Sequence, residues 1–325
     1  MHTNIVDKNE RPFPSSMPLD NAAKIYPSAR GRRSPSIFRL SMELTENIDK
    51  EVLSRALDRT LKRMPSFSQH LKRGFFWYRL EHNTELPPIF DEIRNPCVYF
   101  NEKANRGFQF RVSCYKNRIA VDFFHVITDG TGGMSFLKTL VAEYISLRYD
   151  IDIPRGNGIL DCAEKPQKSE YEDSFLKYAK PMSVSRLEPT AYHIRGTREE
   201  YGTIHITTGI MPLDEISAKA KEYGATINEL LTAVLILSIY NIQQKERLPF
   251  HKNQPVKVSI PINLRKHFPS HTLRNFTTYA NLGINPALGS FTIEEIIAVI
   301  RHGLALETNK KMLTAKFSTN VAAEK

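Results

Sequence analysis

The chain has 325 residues, 41% hydrophobic and 25% charged, with a formal charge of +10. That is a globular profile, long enough for two domains of common size and a substantial core. The longest strongly apolar stretch, Leu230 to Tyr240, is too short to span a bilayer. The first eight residues are polar and hold no signal-peptide apolar region. The basic balance suits an anionic partner, either a phosphate-bearing small molecule or an acidic protein, and equally a solvated basic surface. No nucleic-acid module signature is present. Cys97, Cys114 and Cys162 are odd in number and have no metal-ligand spacing, which reads as reduced thiols in a cytoplasmic protein.

Residues 1–36, rich in Pro, Ser and charge, read as an extended lead-in, with Arg30-Gly31-Arg32-Arg33 as a solvated basic loop. Alternation of Phe38, Leu40, Met42 and Leu44 predicts a strand over Ile37 to Leu44. Val52, Leu53, Ala56, Leu57, Leu61 and Met64 form a helical stripe that Pro65 stops. The aromatic run Phe75 to Tyr78 reads first as core or hairpin packing and second as the lining of an acyl tunnel. Phe108 to Cys114 alternates cleanly, Lys116-Asn117 is a two-residue turn, and Ile119 to His125 returns as the second strand of a hairpin.

The composition changes over residues 151–185, expected to be a linker between a first domain at 37–150 and a second at 186–325. In the second domain, Thr203 to Met211 reads as a strand and Leu213 to Tyr223 as a helix with Gly224 as its cap. Thr226-Ile-Asn-Glu229 is a capping box opening a helix to about Gln243, apolar on most of its circumference and therefore expected to be buried. Val256 to Pro261 is a strand. Thr292-Ile-Glu-Glu295 is a second capping box, before one long helix to about Met312. No repeat at solenoid periods is visible.

The stretch with chemical content is Val121 to Gly133. An apolar strand ends in His125, Asp129-Gly130 follows, and a Gly-rich corner opens a helix to about Arg148. Ile119, Val121, Phe123 and His125 share one face if the strand stays regular, so partial desolvation would hold His125 neutral, as a proton acceptor must be. A histidine alone in this place reads first as a hydrogen-bonded core residue. Gly130 to Gly133 lacks Gly-Lys-Ser/Thr, so it is not a phosphate loop, and its glycines permit a tight turn. His267 and His271 have metal-pair spacing, but Pro269 between them breaks a helix and no third ligand is evident, so no metal is expected.

His125-x-x-x-Asp129-Gly130 resembles the active-site motif of the condensation-domain and alcohol O-acyltransferase superfamily. Other segments resemble the family in matching order: Leu53 to Leu61 its first helix, Thr226 to Leu231 the start of its second-domain helix, Ser259-Ile-Pro-Ile-Asn-Leu-Arg265 followed by Arg274-Asn275-Phe276 its "P-V-N-L-R … N-F" region. The resemblance spans residues 37 to 310. It implies an α/β (α+β) fold of two chloramphenicol-acetyltransferase-like subdomains, mixed sheets flanked by helices, with a tunnel between them and the histidine at its middle. Two departures stand out. Many condensation domains have a second histidine where this chain has Phe124. The family also runs on for about another hundred residues, so the second subdomain is expected to be incomplete.

The resemblance implies acyl transfer from a thioester to a hydroxyl or amine, His125 acting as general base. It makes acyl-CoA, or an acyl-carrier thioester, the co-substrate, with no bound cofactor. No nucleophilic serine is needed, and no Gly-x-Ser-x-Gly elbow is present. Backbone N–H groups of Gly130 to Gly133 are candidates for holding the oxyanion. Asp129 is either an orienting carboxylate in a triad or, as the family implies, a structural residue paired with an arginine, for which Arg265 is the expected partner. Three functions stay open: an acyl-CoA-dependent O-acyltransferase, a condensation-type enzyme acting on substrates bound to an acidic carrier protein, and a non-catalytic binding domain on the same scaffold.

Overall fold

The computed structural model describes residues 13–323 apart from 32–34, 76, 94, 100, 183, 186, 198 and 201–202. The chain divides into two compact units. The first runs to Ser174 and takes back Ser270–Phe276, while the second comprises Phe175–Pro269 and Thr277–Lys325.

The first unit begins with Ser16–Pro18 (β1) and Ile25–Ala29 (α1). Met17, Leu19 and Ala23 are buried in the core, so from residue 13 the expected lead-in is an integral layer. Three apolar residues without periodicity are enough to seat it once a surface exists to receive them. Within the expected basic loop, Arg32 and Arg33 lie outside the described residues, and Arg30 is not solvated. Its side chain is 7% exposed and pairs with Glu102 at 2.9 Å. Its guanidinium lies over the rings of Tyr99 and Phe124, 4.3 and 4.2 Å from their centroids. Desolvated stacking of this kind holds a guanidinium that sequence alone assigns to water.

Ile37–Glu43 (β2) is followed by Lys50–Arg63 (α2), whose N-cap Asp49 accepts from Glu51 N and Val52 N. Gln69–Arg73 (β3) and Tyr78–His82 (β4) form a hairpin, and Ile89–Asp91 is β5. The aromatic run falls on the β3–β4 turn. Phe76 lies outside the described residues, while Phe75 and Trp77 are 93% and 64% exposed. Neither is core: the turn at Gly74 projects them outward, and β-propensity cannot foresee that.

The second hairpin forms as expected. Phe110–Tyr115 (β6) and Arg118–Phe124 (β7) pair antiparallel around Lys116-Asn117. Sheet order is β2-β7-β6-β5, with β5 parallel to β6, and a second sheet runs β1-β4-β3. Alternation along β7 sorts its residues. Phe123 sits opposite both Phe38 and Phe110 and contacts Phe67 and Phe136, on the side carrying α2 and Gly130–Tyr149 (α3). The next register row is charged: Arg39, Asp122 and Arg111 stand side by side on three strands. Asp122 is fully buried and accepts from Arg39 Nε at 2.7 Å and Arg111 Nη2 at 2.5 Å.

Two short helices follow, Lys168–Tyr171 (α4) and Ser174–Tyr178 (α5). Glu170 on α4 receives both arms of the buried Arg63 guanidinium at 2.6 and 2.7 Å.

The second unit holds Leu213–Glu222 (α6), with Gly224 at φ +58° just beyond it, and Ile227–Gln243 (α7), opened by a complete Thr226/Glu229 capping box. Pro249–Lys252 (α8) leads to Val256–Asn263 (β8), which pairs antiparallel with Thr277–Ile284 (β9). Ile293–Glu307 (α9) and Lys310–Ala322 (α10) close the chain. Leu230, Ala233 and Ile236 of α7 pack with Val256, Ile284, Ile296, Ile297 and Ile300.

Three expectations change in this unit. Residues 203–211 form no strand and are exposed, because alternation defines a face but supplies no neighbouring ladder. The single helix from Ile293 to Met312 is two helices: Asn309 breaks it and caps α10, its side chain accepting from Lys311 N. Finally, α7 is buried on one face only, and Leu231, Val234, Leu235 and Ile242 are exposed.

Candidate active site

β7 ends at Phe124, and His125 begins the turn that leads into α3. The extended backbone persists one residue further, since His125 N donates to Ser36 O at 3.0 Å. The imidazole therefore continues the apolar face. It stacks on Tyr26, 4.9 Å between centroids at 17°, and meets Phe38 at 4.5 Å and 43°. Phe38 in turn stacks on Phe123. The imidazole thus falls on the face that alternation along β7 assigns to it, although the regular strand stops short of it.

Burial is the largest influence on His125 and pushes its pKa below the ordinary value. The Asp129 charge, the Asn275 side chain and the Thr128 backbone act in the opposite sense and do not overcome it. The ring is thus neutral at pH 7. Its Nδ1 is buried, leaving Nε2 as the edge that can meet a substrate. Tyr26 is held neutral as well. Burial, then the charges of Asp20 and Asp129, push its phenol up to about 12.

Asp129 caps α3. Its Oδ1 accepts from Thr131 N and Gly132 N, each at 3.1 Å, and its Oδ2 accepts from Phe276 N at 2.8 Å. The N–H groups of Thr131 and Gly132 are therefore taken, and Gly133 N bonds to Asp129 O at 2.9 Å. Of the four donors expected for an oxyanion, Gly130 N–H is the one without a partner among the described residues. Arg265 lies in the second unit, on the 3-10 turn Leu264–Lys266 after β8, with Nη1 3.4 Å from Asn263 Oδ1.

The segment Ser270–Phe276, whose last three residues carry part of the family resemblance, bonds to this site at several points. The Thr128 hydroxyl donates to Leu273 O at 2.7 Å. Asn275 Nδ2 donates to His125 O at 2.9 Å and to Asp20 Oδ2 at 3.2 Å. Arg274 Nη2 donates to Pro18 O at 2.7 Å, and its Nε stands 3.6 Å from Asp20 Oδ2. A Cβ on Gly132 would fall 2.0 Å from Leu273 O, so the close approach of this segment requires glycine there. Asp20 is fully buried. Burial raises its pKa to about 6 against the opposing pull of Arg274 and the hydrogen bonds from Ala23 N and Asn275.

Asp20, Tyr26, Thr128 and Asn275 are the residues that sequence reasoning missed. Asn275 lies in a segment already quoted for its family resemblance and carried that signal alone. Asp20 and Tyr26 sit in a stretch without periodicity and carried none. Among the described residues no group of three or more His, Cys, Asp or Glu stands close enough to hold a metal ion. No single helix among them is long and apolar enough to cross a membrane.

No protein-family model and no curated protein matches the chain. Solved structures do. Polyketide synthase associated protein 5 from Mycobacterium tuberculosis aligns with TM-score 0.64 and 15% identity over 96% of this chain and 78% of its own. The epimerization domain from the third module of tyrocidine synthetase B gives 0.59 and 13% over 93% and 74%. The first condensation domain of the calcium-dependent antibiotic synthetase, bound to a substrate analogue, gives 0.54 and 14% over 91% and 75%. The chain has the fold of the condensation-domain superfamily, with mixed sheets flanked by helices in the manner of chloramphenicol acetyltransferase.

Proposed function

We propose that this protein transfers an acyl group from a thioester to a hydroxyl acceptor, with His125 as the general base. The observation that carries the reading is the state of His125: an imidazole delivered at a strand end, kept neutral by burial, with Nδ1 inward and Nε2 left to meet substrate. Such a base takes the acceptor's proton as the acceptor oxygen attacks the thioester carbonyl, and a thiol leaves. A base of this kind contributes roughly 10²–10⁴-fold. Gly130 N–H is the donor proposed for the tetrahedral oxyanion. Asp129 holds the turn, with Arg265 as its proposed partner.

The acyl donor has two readings. Acyl-CoA is the simpler one. The names of the three aligned structures favour the other, a thioester on a carrier protein, since two are synthetase domains and one is named for its association with a polyketide synthase. The charge of +10 suits either an acidic carrier or the phosphates of coenzyme A.

The test is thiol release from a panel of acyl-CoAs and acyl-carrier proteins with mixed alcohols, for wild type and His125→Ala. Turnover that falls by two or more decades in the variant supports the reading, and the donor that turns over identifies the class. Turnover unchanged in His125→Ala removes His125 as the base. No turnover with either donor leaves the scaffold a binding domain.

A further inference from the structure

A neutral imidazole serves as a base only through the nitrogen that lacks the proton. Which nitrogen that is depends on what the other one meets. Nδ1 of His125 is buried, and no main-chain or side-chain group bonds it within ordinary limits. A second buried polar atom in the same region is also unengaged, Oδ1 of Asn275. The Asn275 amide has only one chemically sensible orientation. Its Nδ2 faces two acceptors, the His125 carbonyl at 2.9 Å and the Asp20 carboxyl at 3.2 Å. Reversing the amide would set its oxygen against both. Oδ1 is thereby committed to the remaining side as an acceptor without a donor, on a residue already bonded to His125 through its main chain. Two buried groups, one needing a donor and one able to be that donor, cost least when they meet.

We propose that Asn275 Oδ1 accepts the Nδ1–H of His125 and so fixes the tautomer whose Nε2 lone pair takes the acceptor's proton. The proposal rests on the reading of His125 as the base. Asn275 is a positioning residue: it touches neither donor nor acceptor and acts through the imidazole. Asp20 acts one link further out. It is fixed by Ala23 N at 2.8 Å and faced by Arg274, and it holds the Asn275 amide in the orientation that presents Oδ1. The Asn275 side chain also favours the protonated imidazole, as an acceptor of an imidazole N–H does. This arrangement supplies the orienting role that a triad reading gives to Asp129, whose oxygens cap α3 and bind Phe276 N instead.

The experiment is two-bond ¹H–¹⁵N correlation NMR on the full chain labelled at histidine, with His125→Gln identifying the His125 signals among the ten histidines. The wild type is expected to carry its proton on Nδ1 at pH 7. In Asn275→Ala the imidazole is expected to lose that single tautomer. The acidic limb of its pH–rate profile should move to lower pH, and kcat should fall on the order of 10²-fold with KM within about twofold. A wild-type proton on Nε2 overturns the proposal, and this measurement needs no variant to fold. A folded Asn275→Ala with tautomer and acidic limb unchanged also overturns it, because the Thr128 carbonyl would then be the acceptor. A wild-type Nδ1–H without thioester turnover leaves the positioning intact and removes the proposed function, so the two readings fail separately.

Discussion

Two buried titratable groups, the proposed base His125 and its neighbour Asp20, act on pH dependence in opposite senses. His125 has its folded pKa below its unfolded value. Its contribution to stability is present above pH 6.5 and lost as pH falls through the folded pKa. With His125 as the proposed base the same titration governs activity, so kcat/KM should rise with pH through a limb centred below 6.5. A limb above 6.5 would mean that burial is not what controls the ring. Asp20 has its folded pKa raised to about 6 from 3.8. The stability it contributes is fully present below pH 3.8 and lost as pH rises through about 6. A shift of that size corresponds to about 3 kcal/mol. Asp20→Asn should therefore gain on wild type by about that amount between pH 4 and pH 7, read from urea midpoints at the two values. A constant difference would show that Asp20 does not titrate in this window.

At the scale of elements, α3 and the sheet beneath it depend on two carboxylates used differently. Asp129 satisfies three backbone N–H groups. Replacing it with alanine removes a cap and orphans a buried donor, about 2–4 kcal/mol in total. Asp129→Asn keeps a capping oxygen, so its activity should follow its thermal midpoint. Activity lost with the midpoint unchanged would show a direct part in the chemistry. Asp122 sits in the middle of the Arg39–Asp122–Arg111 row with no exposure. Asp122→Ala leaves two guanidinium groups facing an empty place in the sheet and should cost about 3–5 kcal/mol, measured by chemical denaturation. Gly132→Ala meets the Leu273 carbonyl at 2.0 Å. It should displace the Ser270–Phe276 segment, with activity lost and the thermal midpoint lowered together.

At the scale of the molecule, the first unit is not contiguous in sequence. Its proposed base, the N-cap of α3 and Asp20 are all bonded by residues that arrive about a hundred positions after the unit otherwise ends. A fragment ending at Ser174 lacks those partners: Asp20 Oδ2 loses Asn275 Nδ2 and Arg274, and Asp129 Oδ2 loses Phe276 N. It should unfold at lower urea than the full chain and with a shallower transition, followed by circular dichroism. A fragment as stable as the full chain would show that the segment is docked on a finished unit and does not complete it.

Local patterns determined most of the elements. The β6–β7 hairpin, the stripe of α2, both capping boxes and the His125-x-x-x-Asp129-Gly130 spacing are legible because each depends on residues within a few positions of one another. So is the apolar face that keeps His125 neutral, since parity along a strand is a local property. Elements whose existence depends on a remote partner were not legible. Residues 203–211 alternate without a ladder to join. Residues 13–29 lack periodicity and are nevertheless held by Met17, Leu19, Ala23 and Asp20. The neighbours of the imidazole belong to the same class: Tyr26, Phe38 and Asn275 reach His125 from 99, 87 and 150 positions away. Hydrogen bonds and ring contacts at such separations leave no spacing to read. Folding alone brings those groups together, and only there do burial and the orientation of one amide decide which nitrogen of the histidine is free to act.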